Sequence, residues 1–306
     1  MYDLIIIGGG PGGGAAGVYA ARKKMKTALI TDSFGGQSLV SAGIENWIGT
    51  KSISGFDLAK NLEEHLRAQQ GIEIMDGDLV AAVIKKDDGT FSITTKNGVT
   101  LETKNILLAS GSRRKRLGVP GEDKFDGKGV VFCTTCDAPL FGGKAVAVVG
   151  GGNSALEGVE DLLQYASKIY LFVRSEVLRG DPVTQEKVKS HPNVEILWDS
   201  VIEEIKGEIF VNGVKYKNVK TGEEKDIPLD GVFVEIGLVP NSDFVKELVT
   251  LDPFGKVVVD HKTQQTSCPG IWAAGDVSDV LYDQNNISVG DSIKAVLNVY
   301  DKIKKS

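Results

Sequence analysis

The chain has 306 residues, 42% hydrophobic and 25% charged, and its 35 basic against 41 acidic side chains leave a net charge of −6. That describes about two globular domains and gives no electrostatic footprint for nucleic acid or an anionic membrane. No apolar run approaches the roughly 18 residues of a membrane span, the first residues lack a basic leader region, and three cysteines with three histidines at no ligand spacing argue against a metal site or a disulfide framework; the expected location is cytoplasmic.

In chain order, an apolar run at 2–7 ends in glycines, the look of a buried parallel strand. Gly8, Gly10 and Gly13, with Pro11 among them, form G-x-G-x-x-G ahead of an alanine-rich helical segment at 15–24. Strand, glycine loop and helix together are a dinucleotide fingerprint: the glycines allow a tight turn and close backbone approach, and the helix N-terminus faces a pyrophosphate. A strand at 27–31 then ends at Asp32, 24 residues beyond Gly8, where a carboxylate accepts hydrogen bonds from ribose hydroxyls. Gly35, Gly36 and Gln37, and Glu45, Asn46 and Trp47, fall in loops, while 56–70 has the spacing of an amphipathic helix. From 78 to 108 the pattern alternates around Asp88-Gly89 and Asn97-Gly98, which predicts an antiparallel meander. It closes in a buried strand at 106–111 that carries Gly111. The basic cluster at 113–116 reads as a solvated domain boundary or as a phosphate contact.

Cys133-Thr134-Thr135-Cys136-Asp137 is a C-x-x-C with a carboxylate beside it, the spacing of a redox pair. The earlier pattern then repeats: a strand at 144–149, Gly150, Gly152, Asn153, Ser154 and Ala155 as G-x-G-x-x-A, a helix at 156–166, a strand at 169–173 and a second meander at 194–234. Two dinucleotide sites on one chain suit a held flavin and an exchangeable nicotinamide, because a thiol pair needs a two-electron carrier between it and a hydride donor. Counting 24 residues from Gly150 reaches Arg174 where the first half has Asp32, and Arg179 follows. Arginines there suit a 2′-phosphate and so NADPH, although Glu176 between them opposes an anion and NADH stays open. A strand at 256–260, a small-residue strand end delivering Gly275 and Asp276 to a ribityl or ribose hydroxyl, and a helix at 287–303 return to complete the first domain. The expected division is therefore 1–114 with 241–306 around an inserted 115–240.

On residues 8–13, 35–37, 45–47, 133–137, 150–155 and 275–276 the whole sequence resembles the low-molecular-weight thioredoxin reductases. It resembles almost as closely the flavin and NADH half of the flavoprotein component of alkyl hydroperoxide reductase, without that relative's N-terminal domain, which favours a free partner protein. The resemblance implies an α/β fold of two Rossmann-like domains of the three-layer ββα type, FAD-binding and NAD(P)-binding, the second inserted into the first, usually in a homodimer. It implies electron flow from NADPH, or NADH, through FAD to a Cys133–Cys136 disulfide. Cys136 would face the ring, Cys133 would attack the disulfide of thioredoxin or a thioredoxin-like protein, and Asp137 would donate a proton. Because one disulfide cannot face flavin and partner at once, linkers near Ser112 and Pro240 are expected hinges.

Three departures stand out. Only Arg174 and Arg179 remain of the family's His-Arg-Arg-x-x-x-Arg run, the glutamate of the NADH-using relatives is replaced by Val173, and Asp283-Gln284-Asn285 stands where Arg-Gln-Ala usually meets the flavin. Gln284 can still serve the ring, but the charge beside it is reversed. Two alternatives stay open: an NADH- or ferredoxin-dependent reductase of a peroxiredoxin- or glutaredoxin-like partner, and a flavin-holding redox-sensing module.

Overall fold

The computed structural model describes residues 1–41 and 43–305; Ala42 and Ser306 lie outside the described residues. The chain forms two compact units, Met1–Arg113 with Val239–Ser306, and Arg114–Leu238. The first segment supplies β1 (Leu4–Gly9), α1 (Pro11–Arg22), β2 (Thr27–Phe34), α2 (Gly55–Arg67), β3 (Ile72–Asp76), β4 (Val80–Lys85), β5 (Phe91–Thr95), β6 (Thr100–Thr103) and β7 (Ile106–Leu108), and β8 (Ser112–Arg114) leads out of it. The second unit contains β9 (Val130–Val131), α3 (Thr134–Asp137), β10 (Ala145–Val149), α4 (Asn153–Leu162), β11 (Lys168–Val173), α5 (Pro182–Ser190), β12 (Val194–Trp198), β13 (Ser200–Gly207), β14 (Val211–Asn218), β15 (Glu224–Ile227) and β16 (Gly231–Val234). The chain returns through β17 (Leu238–Pro240) to β18 (Val259–Asp260), β19 (Gln265–Thr266), β20 (Ile271–Ala273) and α6 (Asn285–Lys305).

In the first unit the sheet order is β18-β19-β20-β7-β1-β2-β3, with β20 through β3 parallel. β1 is apolar on both faces because both faces are covered. Leu4 and Ile6 pack with Ala16, Leu66, Trp272 and Val296 on the helix side, while Ile5 and Ile7 pack with Val83, Phe91 and Ile93 of the antiparallel β4-β5-β6 sheet. Burial of each such aliphatic side chain contributes about 1.5–3 kcal/mol. Helices, parallel sheet and small antiparallel sheet are thus three layers.

The second unit repeats the plan on the order β12-β11-β10-β16-β9, all parallel. Val146 and Val148 face Leu156 and Val159 of α4, whereas Ala147 and Val149 face Ile202, Val214 and Tyr216 of the β13-β14-β15 sheet. The span 194–234, expected as a single meander, is divided: β12 and β16 belong to the parallel sheet and only β13 to β15 are antiparallel. β12 is an edge strand of partly exposed residues, so it lacks the fully buried apolar run that marks the inner strands of a parallel sheet. β3 escapes notice in the first unit for the same reason. α5 is also absent from the sequence reading, since Asp181 caps it and Pro182 opens it but Val188 is its one buried residue.

Candidate functional site

A cleft of about 900 Å³ opens in the first unit, lined by Gly8, Gly10, Pro11, Asp32, Gly36, Gln37, Gly111, Gly275, Asp276 and Asn285 among others. Gly10 precedes α1 in extended conformation and no side chain caps the helix, so its first amides face the cleft unclaimed. A Cβ placed on Gly10 would meet nothing nearer than Gly36 Cα at 4.0 Å, so two bare backbone stretches form a cradle that side chains would fill. Such a cradle fits the pyrophosphate of a dinucleotide. Gly13 lies beneath it rather than in its wall: a Cβ there would overlap the Gly8 carbonyl, which is what lets α1 cross so close to β1.

Around the cleft the side chains are organised by one another. Gln37 donates to the Ser112 carbonyl at 3.1 Å, and Ser38 donates to Asn285 Oδ1 at 3.1 Å. Asn46 donates to Gln284 Oε1 at 3.1 Å; both residues lie outside the cleft wall and hold two loops together. The reversed charge at Asp283 is compensated by Lys256, whose Nζ sits 2.9 Å from its carboxylate. Burial pushes the Asp276 carboxyl above the usual range, and the nearby charge of Asp283 adds to the shift.

In the second unit Cys133 and Cys136 form a disulfide with Cα atoms 5.4 Å apart, Cys133 capping the single turn of α3. Asp137 follows, and burial raises its carboxyl pKa. The turn is fastened from both sides. Thr135 donates to Asp161 Oδ2 at 2.9 Å, and Thr134, buried, donates to Glu235 Oε1 at 3.0 Å. Glu235 lies just beyond β16 and is 7% exposed; its second oxygen accepts from Ser154 Oγ at 2.6 Å and meets Arg114 Nη1 at 3.4 Å. One carboxylate therefore joins the redox turn to the first turn of α4, next to Gly150 and Gly152.

Arg174 and Arg179 are exposed beyond β11, and their guanidiniums make no ion pair or hydrogen bond among the described residues. Glu176 does not stand against an anion alone: it is ion-paired with Lys220, which also reaches Asp199 at 3.3 Å. Asn153 accepts from the Asp181 amide at 2.7 Å, and the Arg179 amide donates to the Gly151 carbonyl at 2.7 Å, so the arginine loop is laced to the glycine loop. Glu235, Lys220 and Lys256 escape sequence reasoning. Only Glu235 leaves a signal there, as a lone acid inside the apolar run at 231–238. Among the described residues no cluster suits a metal ion and no helix is long and apolar enough to cross a membrane.

Two dinucleotide-type units, the second holding a C-x-x-C disulfide, define a flavin- and pyridine-nucleotide-binding oxidoreductase, and residues 2–294 match the pyridine nucleotide-disulphide oxidoreductase family, to which the chain belongs. It is similar to the F component of alkyl hydroperoxide reductase from Staphylococcus epidermidis, 42% identical over 99% of this chain and 59% of that protein. The chain thus spans 59% of the length of the curated relative it matches. Among solved structures it is similar to thioredoxin reductase of Lactococcus lactis in its FR conformation, with TM-score 0.82 and 34% identity covering 100% of both chains. Thioredoxin reductase of T. acidophilum matches with TM-score 0.78 and 37% identity over 99% of each chain.

Proposed function

We propose that the chain is a thioredoxin-disulfide reductase that passes electrons from NADPH to a thioredoxin-type protein through the Cys133–Cys136 pair. The observation that carries this reading is the disulfide itself, built on a turn that shares Glu235 with the helix of the second glycine loop. FAD, when bound, supplies two-electron exchange between the nicotinamide and the thiol pair. Gly8, Gly10, Gly36 and the first amides of α1 are its pyrophosphate cradle, Asp32 its ribose partner, and Asp276 and Asn285 its neighbours further along the cleft. Gly150, Gly152 and Ser154 receive the nicotinamide nucleotide, with Arg174 and Arg179 on the 2′-phosphate; the Glu176–Lys220 pair supports NADPH because it removes the opposing charge.

At the dithiol stage, the Cys133 thiolate attacks one sulfur of the partner's disulfide and expels the other as a thiolate, giving a mixed disulfide. Cys136 then attacks Cys133, re-forms the intramolecular disulfide and releases the partner with two reduced sulfurs. Asp137, protonated more readily than an ordinary carboxylate, hands its proton to the departing thiolate. The reading includes a cytoplasmic location and a homodimer; exposed Ile48, Leu281 and Tyr282 on the first unit support the homodimer, which sedimentation checks.

The test is anaerobic titration of the flavin-loaded protein with NADPH, NADH and reduced ferredoxin in turn, followed by addition of oxidised thioredoxin. Bleaching by NADPH and recovery of colour with thioredoxin are expected. Unimpaired disulfide reduction by Cys136→Ser would overturn the mechanism. The identity to the alkyl hydroperoxide reductase component favours a second reading, an NADH-dependent reductase of a peroxiredoxin-type partner. Bleaching by NADH together with failure of thioredoxin to reoxidise the protein would select it.

A further inference from the structure

Glu235 has no part in the chemistry above, yet it is the most completely engaged buried acid of the second unit. It interrupts an apolar strand end, and a buried carboxylate is tolerated only where its oxygens are satisfied. The three groups satisfying it come from three separate segments: Thr134 from between the two cysteines, Ser154 from the first turn of α4, and Arg114 at the start of the unit. A hydroxyl carries a single proton, so Ser154 can donate to Glu235 or to an incoming phosphate oxygen, not to both. Ser154 sits at the helix end where a nucleotide phosphate is attracted.

We propose that Glu235 is a positioning residue that couples occupancy of the Gly150–Ser154 loop to the redox potential of the Cys133–Cys136 pair. A bound nucleotide draws the Ser154 hydroxyl away, and Glu235 is left with less of its charge compensated. That charge is held by Thr134 against the redox turn, where it disfavours the thiolate of the dithiol form. The disulfide takes up two electrons and one proton, to one thiolate and one thiol, less readily, and that reduced pair becomes the stronger reductant. By linkage the same factor weakens nucleotide binding to the dithiol form. The inference rests on the functional reading given above, for both the nucleotide loop and the exchanging thiols.

The experiment equilibrates the FAD-loaded full chain in dithiothreitol redox buffers with and without saturating NADP⁺, and in parallel NAD⁺, quenches with a maleimide after denaturation, and counts labelled thiols by mass. The buried Cys268 is a constant third label. For the unaltered protein the dithiol-to-disulfide ratio at fixed buffer potential falls about tenfold with nucleotide, which is about 30 mV for a two-electron couple. Glu235→Gln keeps the volume but turns an amide donor toward Ser154 and Arg114, and Thr134→Val removes the link to the redox turn. Each is expected to reduce the nucleotide-dependent change to less than about threefold while the thiols still titrate, the change that remains being direct phosphate electrostatics. Equal shifts in the unaltered protein and both variants, or no shift in the unaltered protein despite saturable nucleotide binding, overturn the coupling alone. Thiols that never exchange with the buffer, or binding of neither nucleotide, overturn the functional reading beneath it.

Discussion

Gly158 lies on α4 directly under the redox turn, and its replacement by alanine tests how tightly that turn is held. Away from other contacts, alanine in a helix interior is more stable than glycine by about 1 kcal/mol. Here the new Cβ would fall 2.7 Å from Thr134 Oγ1, 3.3 Å from its Cβ and 3.5 Å from its Cγ2. Thr134 is buried, β-branched and fixed by its hydrogen bond to Glu235, so it is poorly able to swing aside. Relief requires giving up that bond to a charged acceptor, worth about 1.5–3 kcal/mol. Subtracting the helix gain leaves a net destabilisation of about 0.5–2 kcal/mol, read as a lowered denaturant midpoint of the apo protein. Disulfide turnover should fall with it, because the displaced residue sits between the cysteines. Thr134→Ser keeps Oγ1 but lifts the β-branching that holds χ1, so the hydroxyl can rotate from the new methyl; it should recover part of the loss in the Gly158→Ala background, and the two changes should be non-additive in a double-mutant cycle. A Gly158→Ala protein that is more stable than its parent with unchanged turnover would show that the turn is not held by this contact.

Three further outcomes follow from the same geometry. Asp276→Asn should act in opposite directions on the two forms: because the native carboxyl is held above its unfolded pKa, apo stability declines as pH rises from the ordinary carboxylate range through that raised value, and the asparagine chain should lose this decline while releasing FAD more readily on dilution. Asp137 is likewise raised, so thioredoxin reduction assigned to its proton should fall as pH rises through its pKa; Asp137→Asn should flatten that limb and lower kcat by about 10²-fold or more, and an unchanged profile would remove Asp137 from the proton path. Arg174→Ala should raise KM for NADPH by about tenfold, the loss of one exposed charge-assisted contact, and leave KM for NADH unchanged.

Much of this architecture is legible in the sequence because parallel strands covered on both faces read as uninterrupted apolar runs. β1 ends in glycines and β10 runs directly into them, and their spacing has one dominant explanation. What is not legible shares a cause. β3 and β12 are edge strands and α5 buries a single residue, so none carries the burial periodicity on which reading depends. In the site, the motif glycines and the cysteines could be named from spacing, but Asn46 and Gln284 proved to bind each other across some 240 positions, a pairing that only the fold creates. The same holds for Lys256 on Asp283 and Lys220 on Glu176: each cancels a charge that looks unfavourable in the linear sequence.

On the proposed reading, the two units differ as a resident and a transient nucleotide would require. Each presents a glycine loop at the end of a buried strand and a helix whose first amides are free, so each attracts a pyrophosphate by the same means. The difference lies at the end of the next strand and in what the helix is attached to. In the first unit Asp32, Asp276 and Asn285 line the cleft, the last two supplied by the returning chain, which suits the longer ligand proposed for it. In the second, Arg174 and Arg179 offer cations instead, and the helix is bonded through Ser154 and Glu235 to the disulfide turn. A nucleotide that must leave each cycle is better served by exposed charges than by an enclosing wall. The resident one proposed for the first unit would gain from enclosure, and the redox pair lies beside the loop whose occupancy would change.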